Sequence, residues 1–194
     1  QLANFRLNFS RTGCAVAGVL VGAGIGLDLA FYPQPARALG LVRGCTTALL
    51  ALVWVLLHAR IGLRYVRLLT MAWLALPQAM ISWMIYYTQG AASPYVFGLS
   101  LAMYAAGIVL PIGLLQSVGL GVFTCAAYIL AGLLHSRNPI PSPELVGNTI
   151  FLLFSATISA VCTFYNERAR IQLFALQHEV AEKNTSLQQT NQAL

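Results

Sequence analysis

Residues 164–194 read FYNERARIQLFALQHEVAEKNTSLQQTNQAL and follow directly on a long apolar segment. Apolar side chains recur in this stretch at alternating spacings of three and four residues, which is the heptad pattern of a coiled coil. Polar Lys183 and Thr190 interrupt the apolar seam, which lowers the stability of the coil and makes it easy to shift. The pattern predicts a parallel dimer over residues 166–194, with a seam formed by Leu173, Leu176, Val180, Leu187 and Leu194.

The alternative for this tail is a single amphipathic helix lying on the membrane surface. Such helices are rich in Lys and Arg on their polar face, where they meet anionic lipid. Here the polar face consists mainly of Gln, Asn, Glu and Thr. The composition therefore favours the coiled coil, of which about three heptads are visible.

The composition of the whole chain indicates the environment in which it folds. Of the 194 residues, 58% are apolar and 8% are charged, whereas a soluble domain carries about 25% charged residues. So much apolar surface requires a lipid bilayer. The net charge of +6 is then a matter of membrane orientation, and we expect no nucleic-acid partner. The four cysteines form no C-x-x-C pair and have no neighbouring histidine, so we expect neither a metal nor a cofactor in this chain.

Apolar runs of about twenty residues, separated by proline and glycine, predict an all-α membrane protein. We expect an N-terminal segment at 1–11, a membrane domain at 12–165 and the coil at 166–194. The weakest break lies between the fourth and fifth spans, where Pro111 and Gly113 interrupt a long apolar stretch. The six predicted spans are 12–31, 38–57, 68–87, 95–114, 117–134 and 145–165.

The lysines and arginines predict the orientation, because these residues are enriched in the short loops that lie on the cytoplasmic side of the membrane. With six spans, eight of these residues lie on the side of the two termini and three lie on the other side. Both termini, and the heptad tail with them, are therefore expected in the cytoplasm.

Glycines repeat every fourth residue in the first span, at Gly18, Gly22 and Gly26. Small residues at this spacing allow two helix backbones to approach closely. The stripe predicts a packing seam, either within one subunit, which is the commoner case, or between two subunits.

Ionisable side chains within a span are costly, so they are candidates for function. Asp28 lies near the outer end of the first predicted span and Arg43 near the outer start of the second. The two either pair with each other across the short loop, which is a structural role, or recognise the headgroup of a ligand.

The third predicted span is rich in polar and aromatic residues. Gln78 lies near the bilayer midplane beside Pro77, where a kink would leave a carbonyl free to line a pocket. The aromatic residues near the outer interface either anchor the helix in the membrane or line the same pocket. Asn148 lies near the outer start of the last span, which leads directly into the coil, so a ligand that touches this span would shift the coil. The candidate ligand-binding residues are Asp28, Arg43, Gln78, Trp83, Tyr86, Tyr95 and Asn148.

Two stretches resemble parts of known signalling proteins. Residues 164–194 resemble the signalling helix that joins bacterial membrane sensors to their catalytic domains. Residues 90–99, GAASPYVFGL, are similar to the G-x-x-S-P-Y-x-x-G-L segment of polytopic sensor regions in bacterial histidine kinases. Six-span receptor kinases for quorum-sensing lipids share this layout, and so do some membrane anchors of class III adenylyl cyclases.

The resemblance implies the sensor module of a homodimeric bacterial histidine kinase in the inner membrane, with a small amphipathic or lipid-like ligand. The membrane anchor of a class III adenylyl cyclase is the alternative, and a small transporter or channel is the third. The chain has no H-E-x-x-N-P-like box and no metal-binding aspartates of a cyclase, so we identify no catalytic residue in it. We expect an output domain to follow Leu194.

Overall fold

The computed structural model describes residues 2–136 and 142–193, and within them the only regular structure is helical. The predicted all-α fold is confirmed. In chain order the helices are α1 (Leu2–Ala23), α2 (Ile25–Phe31), α3 (Ala36–His58), α4 (Ile61–Arg64), α5 (Val66–Tyr87), α6 (Val96–Val109), α7 (Leu114–Ser136) and α8 (Pro143–Ala193), with a short 3-10 turn at Gly90–Ala92.

Five helical segments of the described chain are long and apolar enough to cross a membrane, which makes this a multi-pass membrane protein. They are Asn4–Phe31, Ala36–His58, Val66–Tyr87, Leu114–Ser136 and Pro143–Asn184.

The structure differs from the prediction at the fourth span, 95–114. Its helix α6 has only 14 residues, whereas about twenty are needed to span the bilayer. Pro111 is the reason, because it forces the preceding residue out of the helical region. Leu110 accordingly has φ −90° and ψ 142°. Four non-helical residues follow α6, and α7 begins at Leu114 rather than at 117.

The buried apolar side chains form two clusters. One lies mainly among α1, α3 and α5, and the other mainly among α6, α7 and α8. Helix α5 packs against both α3 and α7, so it joins the two halves of the bundle. Large apolar side chains also cover the outside of the bundle, such as Leu115, which is 87% exposed. That surface fits lipid as the surrounding solvent.

The last helix, α8, runs without interruption for 51 residues. At 1.5 Å per residue it is about 77 Å long, whereas the hydrocarbon core is about 30 Å thick. One helix therefore continues from the membrane into the heptad region. Leu173, Leu176 and Val180 are 59%, 57% and 50% exposed there. The side chain of Leu187 and the whole of Leu194 lie outside the described residues, and the coiled coil stays a prediction.

The glycine stripe of α1 and α2 does not pack within the subunit. A Cβ atom added at Gly18, Gly22 or Gly26 would meet no atom within 4 Å. The prediction of a seam inside one subunit is therefore wrong, because this face of the helix points away from the bundle. A seam between subunits remains a prediction.

Candidate functional site

A buried ion pair lies between α2 and α3. Arg43 donates from Nε to Oδ2 of Asp28 at 2.6 Å and from Nη2 to Oδ1 at 2.8 Å. The two side chains are almost completely buried. Such a bidentate arrangement is the strongest form of the arginine–carboxylate contact. The pairing considered from the sequence is thus the arrangement that the structure contains.

A break in the first transmembrane segment makes room for this pair. Helix α1 ends at Ala23 and α2 begins at Ile25, with Gly24 between them. The Arg43 guanidinium lies directly against Gly24, where a Cβ atom would overlap it. Its Nη1 donates to the carbonyl oxygen of Val21 at 3.2 Å. Arg43 therefore stabilises the break between α1 and α2 and also binds the Asp28 carboxylate.

Tyr95, just before α6, completes the pair to a network of three side chains. Its hydroxyl donates to Oδ1 of Asp28 at 2.6 Å. Its ring lies 5.5 Å from that of Tyr32, measured between centroids. The Asp28 carboxylate thus accepts three hydrogen bonds, which offset much of the cost of burying a charge. We call Asp28, Arg43 and Tyr95 the ion network.

The loop that carries Tyr95 also contacts the opposite half of the bundle. We call residues 88–95 the hub loop. The carbonyl oxygen of Ala91 accepts from Tyr128 Oη in α7 at 3.2 Å and from Asn148 Nδ2 in α8 at 2.8 Å. Gly90 has φ +60° and lies against the His135 ring, so any side chain there would be strained and would clash. The hub loop therefore connects the ion network to the start of α8.

Four of the seven candidate residues, Asp28, Arg43, Tyr95 and Asn148, are joined in this way, whereas Gln78, Trp83 and Tyr86 lie apart. Gln78 is buried in α5, and its Oε1 has no hydrogen-bond partner. Trp83 stacks on Tyr87 at 4.9 Å, and both rings are partly exposed near the end of α5, as is that of Tyr86. The anchoring interpretation of these aromatic residues fits their position better than a shared pocket does.

A second polar cluster, which the sequence did not predict, lies at the non-helical residues between the end of α6 and the start of α7. Asn166 Nδ2 donates to the carbonyl oxygens of Gly107 and Ile108 at 3.1 and 3.0 Å. Arg170 donates to those of Leu110 and Ile112 at 3.4 and 3.3 Å. These carbonyls need partners because the helix stops there.

The same turn of α8 also serves the start of α7. The backbone N–H of Leu114 donates to Oε2 of Glu167 at 3.4 Å. We call Asn166, Glu167 and Arg170 the clamp, because they fix α8 to both ends of the interruption. Pro111 together with a polar N-E-R-x-R run just after the last span was the signal in the sequence that could have indicated it.

Within residues 2–136 and 142–193 no group of three His, Cys, Asp or Glu side chains could hold a metal ion. The ion network is likewise closed, since Asp28 and Arg43 are 0% and 6% exposed. A ligand headgroup would reach these two charges only if the network opened. The chemistry that the arrangement offers is exchange of ion-pair and hydrogen-bond partners.

The model of one protein family, MASE8, a family of membrane-associated sensory domains, matches residues 26–181. The match includes the ion network, the hub loop and the clamp. No curated protein and no solved structure matches the chain significantly.

Proposed function

Because the chain belongs to the MASE8 family of membrane-associated sensory domains, we propose that it is the membrane input module of a bacterial sensor histidine kinase. In this role it receives a small amphipathic or lipid-like signal and passes it to a catalytic domain beyond Leu194. The observation that carries the proposal is the single helix α8. It contacts the hub loop through Asn148, contacts the end of α6 through the clamp, and continues into the heptad region.

The ion network is the proposed point of reception. A charged headgroup that competes for Arg43 or Asp28 replaces one partner of a bidentate pair. If the headgroup takes the Asp28 carboxylate, Tyr95 loses its acceptor as well, and this loosens the hub loop that Asn148 contacts through Ala91. A signal needs to favour one arrangement by only a few kcal/mol to change the populations of the two states substantially.

The proposal includes six crossings of the inner membrane, with α6 and the non-helical residues 110–113 together forming the fourth. Fourteen helical residues cover about 21 Å, and four non-helical residues add at most about 13 Å, which together suffice for a core of about 30 Å. Non-helical backbone within a membrane requires protein partners for its polar groups, and the clamp supplies them. With this count the basic residues favour cytoplasmic termini, which puts the ion network on the periplasmic side.

The proposal also includes a homodimer joined through the tail. Leu173, Leu176 and Val180 are at least half exposed in the single chain, and a second copy would bury them along one seam. A small rotation or shift of α8 would then change the register of the coil and reach the output domain.

The experiment uses the full-length parent protein in nanodiscs with labelled ATP. An acid-labile phosphoprotein is the result expected for a histidine kinase. Cyclic AMP without phosphoprotein would make the chain the membrane anchor of a class III adenylyl cyclase instead. If neither product forms while the protein moves solutes across liposome membranes, the sensor proposal is wrong and the chain is a transporter or channel.

A further inference from the structure

An open groove lies between α7 and α8, away from the ion network and the hub loop. Its volume is about 710 Å³, within the range of about 300 to 1,000 Å³ typical of ligand pockets. Small residues line it where the two helices cross. A Cβ atom on Gly121 would come within 2.8 Å of the Cβ of Ala156, so the helices touch there almost backbone to backbone.

The walls of the groove are almost entirely hydrocarbon. Val118 and Val122 contribute from α7, and Leu153 and Val161 contribute from α8. These four side chains are between 44% and 65% exposed, so they are available to a molecule in the bilayer. A surface of this kind suits an acyl chain, which binds through area and shape rather than through hydrogen bonds.

Arg168 lies one helical turn beyond Phe164, at one end of the groove. Thr157, Val161, Phe164 and Arg168 follow each other on α8 at spacings of four, three and four residues, which places them along one face of the helix. The first three line the groove, and the guanidinium of Arg168 lies 4.4 Å from the centroid of the Phe164 ring.

In the described part of the chain, no carboxylate lies within ion-pairing distance of the Arg168 guanidinium. Glu167, the nearest acid in sequence, accepts instead from the backbone N–H of Leu114. Arg170 directs its guanidinium to backbone carbonyls on the other side of α8. The exposed positive charge of Arg168 therefore complements an anionic headgroup.

We propose that this groove binds the acyl chain of an anionic amphiphile, with the headgroup at Arg168. The required chemistry is one negative charge attached to a long alkyl chain, which both a free fatty acid and an anionic phospholipid provide. The site lies at the end of the bundle that bears the clamp, so it is separate from the proposed point of reception. Because α8 forms one wall, occupancy of the groove sets the spacing of α7 and α8 just before the tail.

The test uses the 194-residue chain in nanodiscs and three photoactivatable diazirine probes, namely palmitic acid, phosphatidylglycerol and phosphatidylcholine. Labelled peptides are identified by mass spectrometry. We expect the anionic probes to label residues 114–125 and 153–165 more strongly than phosphatidylcholine does. Arg168→Gln should reduce this labelling about fivefold, as expected for one basic side chain near a membrane surface. Arg60→Gln, which changes an exposed arginine outside the groove, should leave it unchanged.

Two further variants test the groove itself. Ala160→Phe fills it from α8, and Val118→Trp fills it from α7, so that a folding defect of one variant does not decide the outcome. Both should remove the labelling, while Leu20→Phe on the outer face of α1 should not. Labelling by palmitic acid alone would identify a free fatty acid as the ligand, and labelling by phosphatidylglycerol alone would identify a resident lipid. Equal labelling by all three probes that persists in both filled variants would contradict the proposal.

Discussion

Replacement of Asp28 by Asn is the sharpest test of the ion network. The change removes the carboxylate that accepts from Arg43 and Tyr95 and leaves the guanidinium charged and 6% exposed. Breaking one side of a buried pair costs about 3–5 kcal/mol, because the remaining charge is uncompensated. For a chain of this size, each kcal/mol corresponds to roughly 2–4 °C in Tm. We therefore expect Asp28→Asn to lower the Tm by about 6–20 °C.

A combined variant separates the pair from its surroundings. Asp28→Leu with Arg43→Met and Tyr95→Phe removes both charges and the hydroxyl that would otherwise lose its acceptor. Replacing a buried ion pair by apolar side chains of similar volume is often nearly neutral, so this variant should be more stable than Asp28→Asn alone. Unfolding in mixed micelles, followed by tryptophan fluorescence, gives the free energies, with Arg60→Met as the surface control. A loss below about 1 kcal/mol for Asp28→Asn, or a combined loss equal to the sum of the single losses, would refute the reasoning.

Three further predictions concern the hub loop, the clamp and the tail. Tyr95→Phe should lower the free energy of unfolding by about 1.5–3 kcal/mol, because one charge-assisted hydrogen bond is lost, and should change the basal activity of the parent protein; an unchanged activity would argue against a role of the network in signalling. Asn166→Leu should cost about 1–3 kcal/mol by leaving two carbonyls unpaired, and hydrogen exchange at residues 110–114 should accelerate, whereas exchange in α3 should not. Leu176→Gln together with Leu187→Gln should abolish signalling in the parent without affecting solute flux through liposomes, and signalling that survives the double change would exclude the coil mechanism.

The sequence predicts those features that depend on neighbouring residues. The apolar runs locate the helices because bilayer thickness sets their length, and Asp28 and Arg43 are only 15 positions apart across one short loop. The heptad spacing also predicts a long final helix, which α8 confirms up to Ala193.

Contacts between distant segments were beyond reach of the sequence. Tyr95 lies 67 positions from its acceptor Asp28, and Asn166 lies 58 and 59 positions from the two carbonyls it serves. Such pairs depend on how the helices pack, and the periodicity of one segment carries no information on its neighbour. The break at Gly24 was not predicted for the same reason, because it depends on the contact of Gly24 with Arg43 in the next helix rather than on the local sequence.

Helix α8 is proposed to link the ion network to a dimeric tail. Disulfide cross-linking in nanodiscs tests it directly, with the native cysteines replaced by alanine and single cysteines introduced along the tail. Cysteines at positions 173, 176 and 180 should form dimers readily, whereas Ala175→Cys and Glu182→Cys, on the opposite face of the helix, should not.

Adding Asn148→Ala, which removes the bond to the hub loop, should change the cross-linking rate at position 176 about two- to tenfold, in keeping with the loss of one hydrogen bond worth about 0.5–1.5 kcal/mol. Cross-linking that is equal on both faces of the tail, or that is indifferent to Asn148→Ala, would contradict the account.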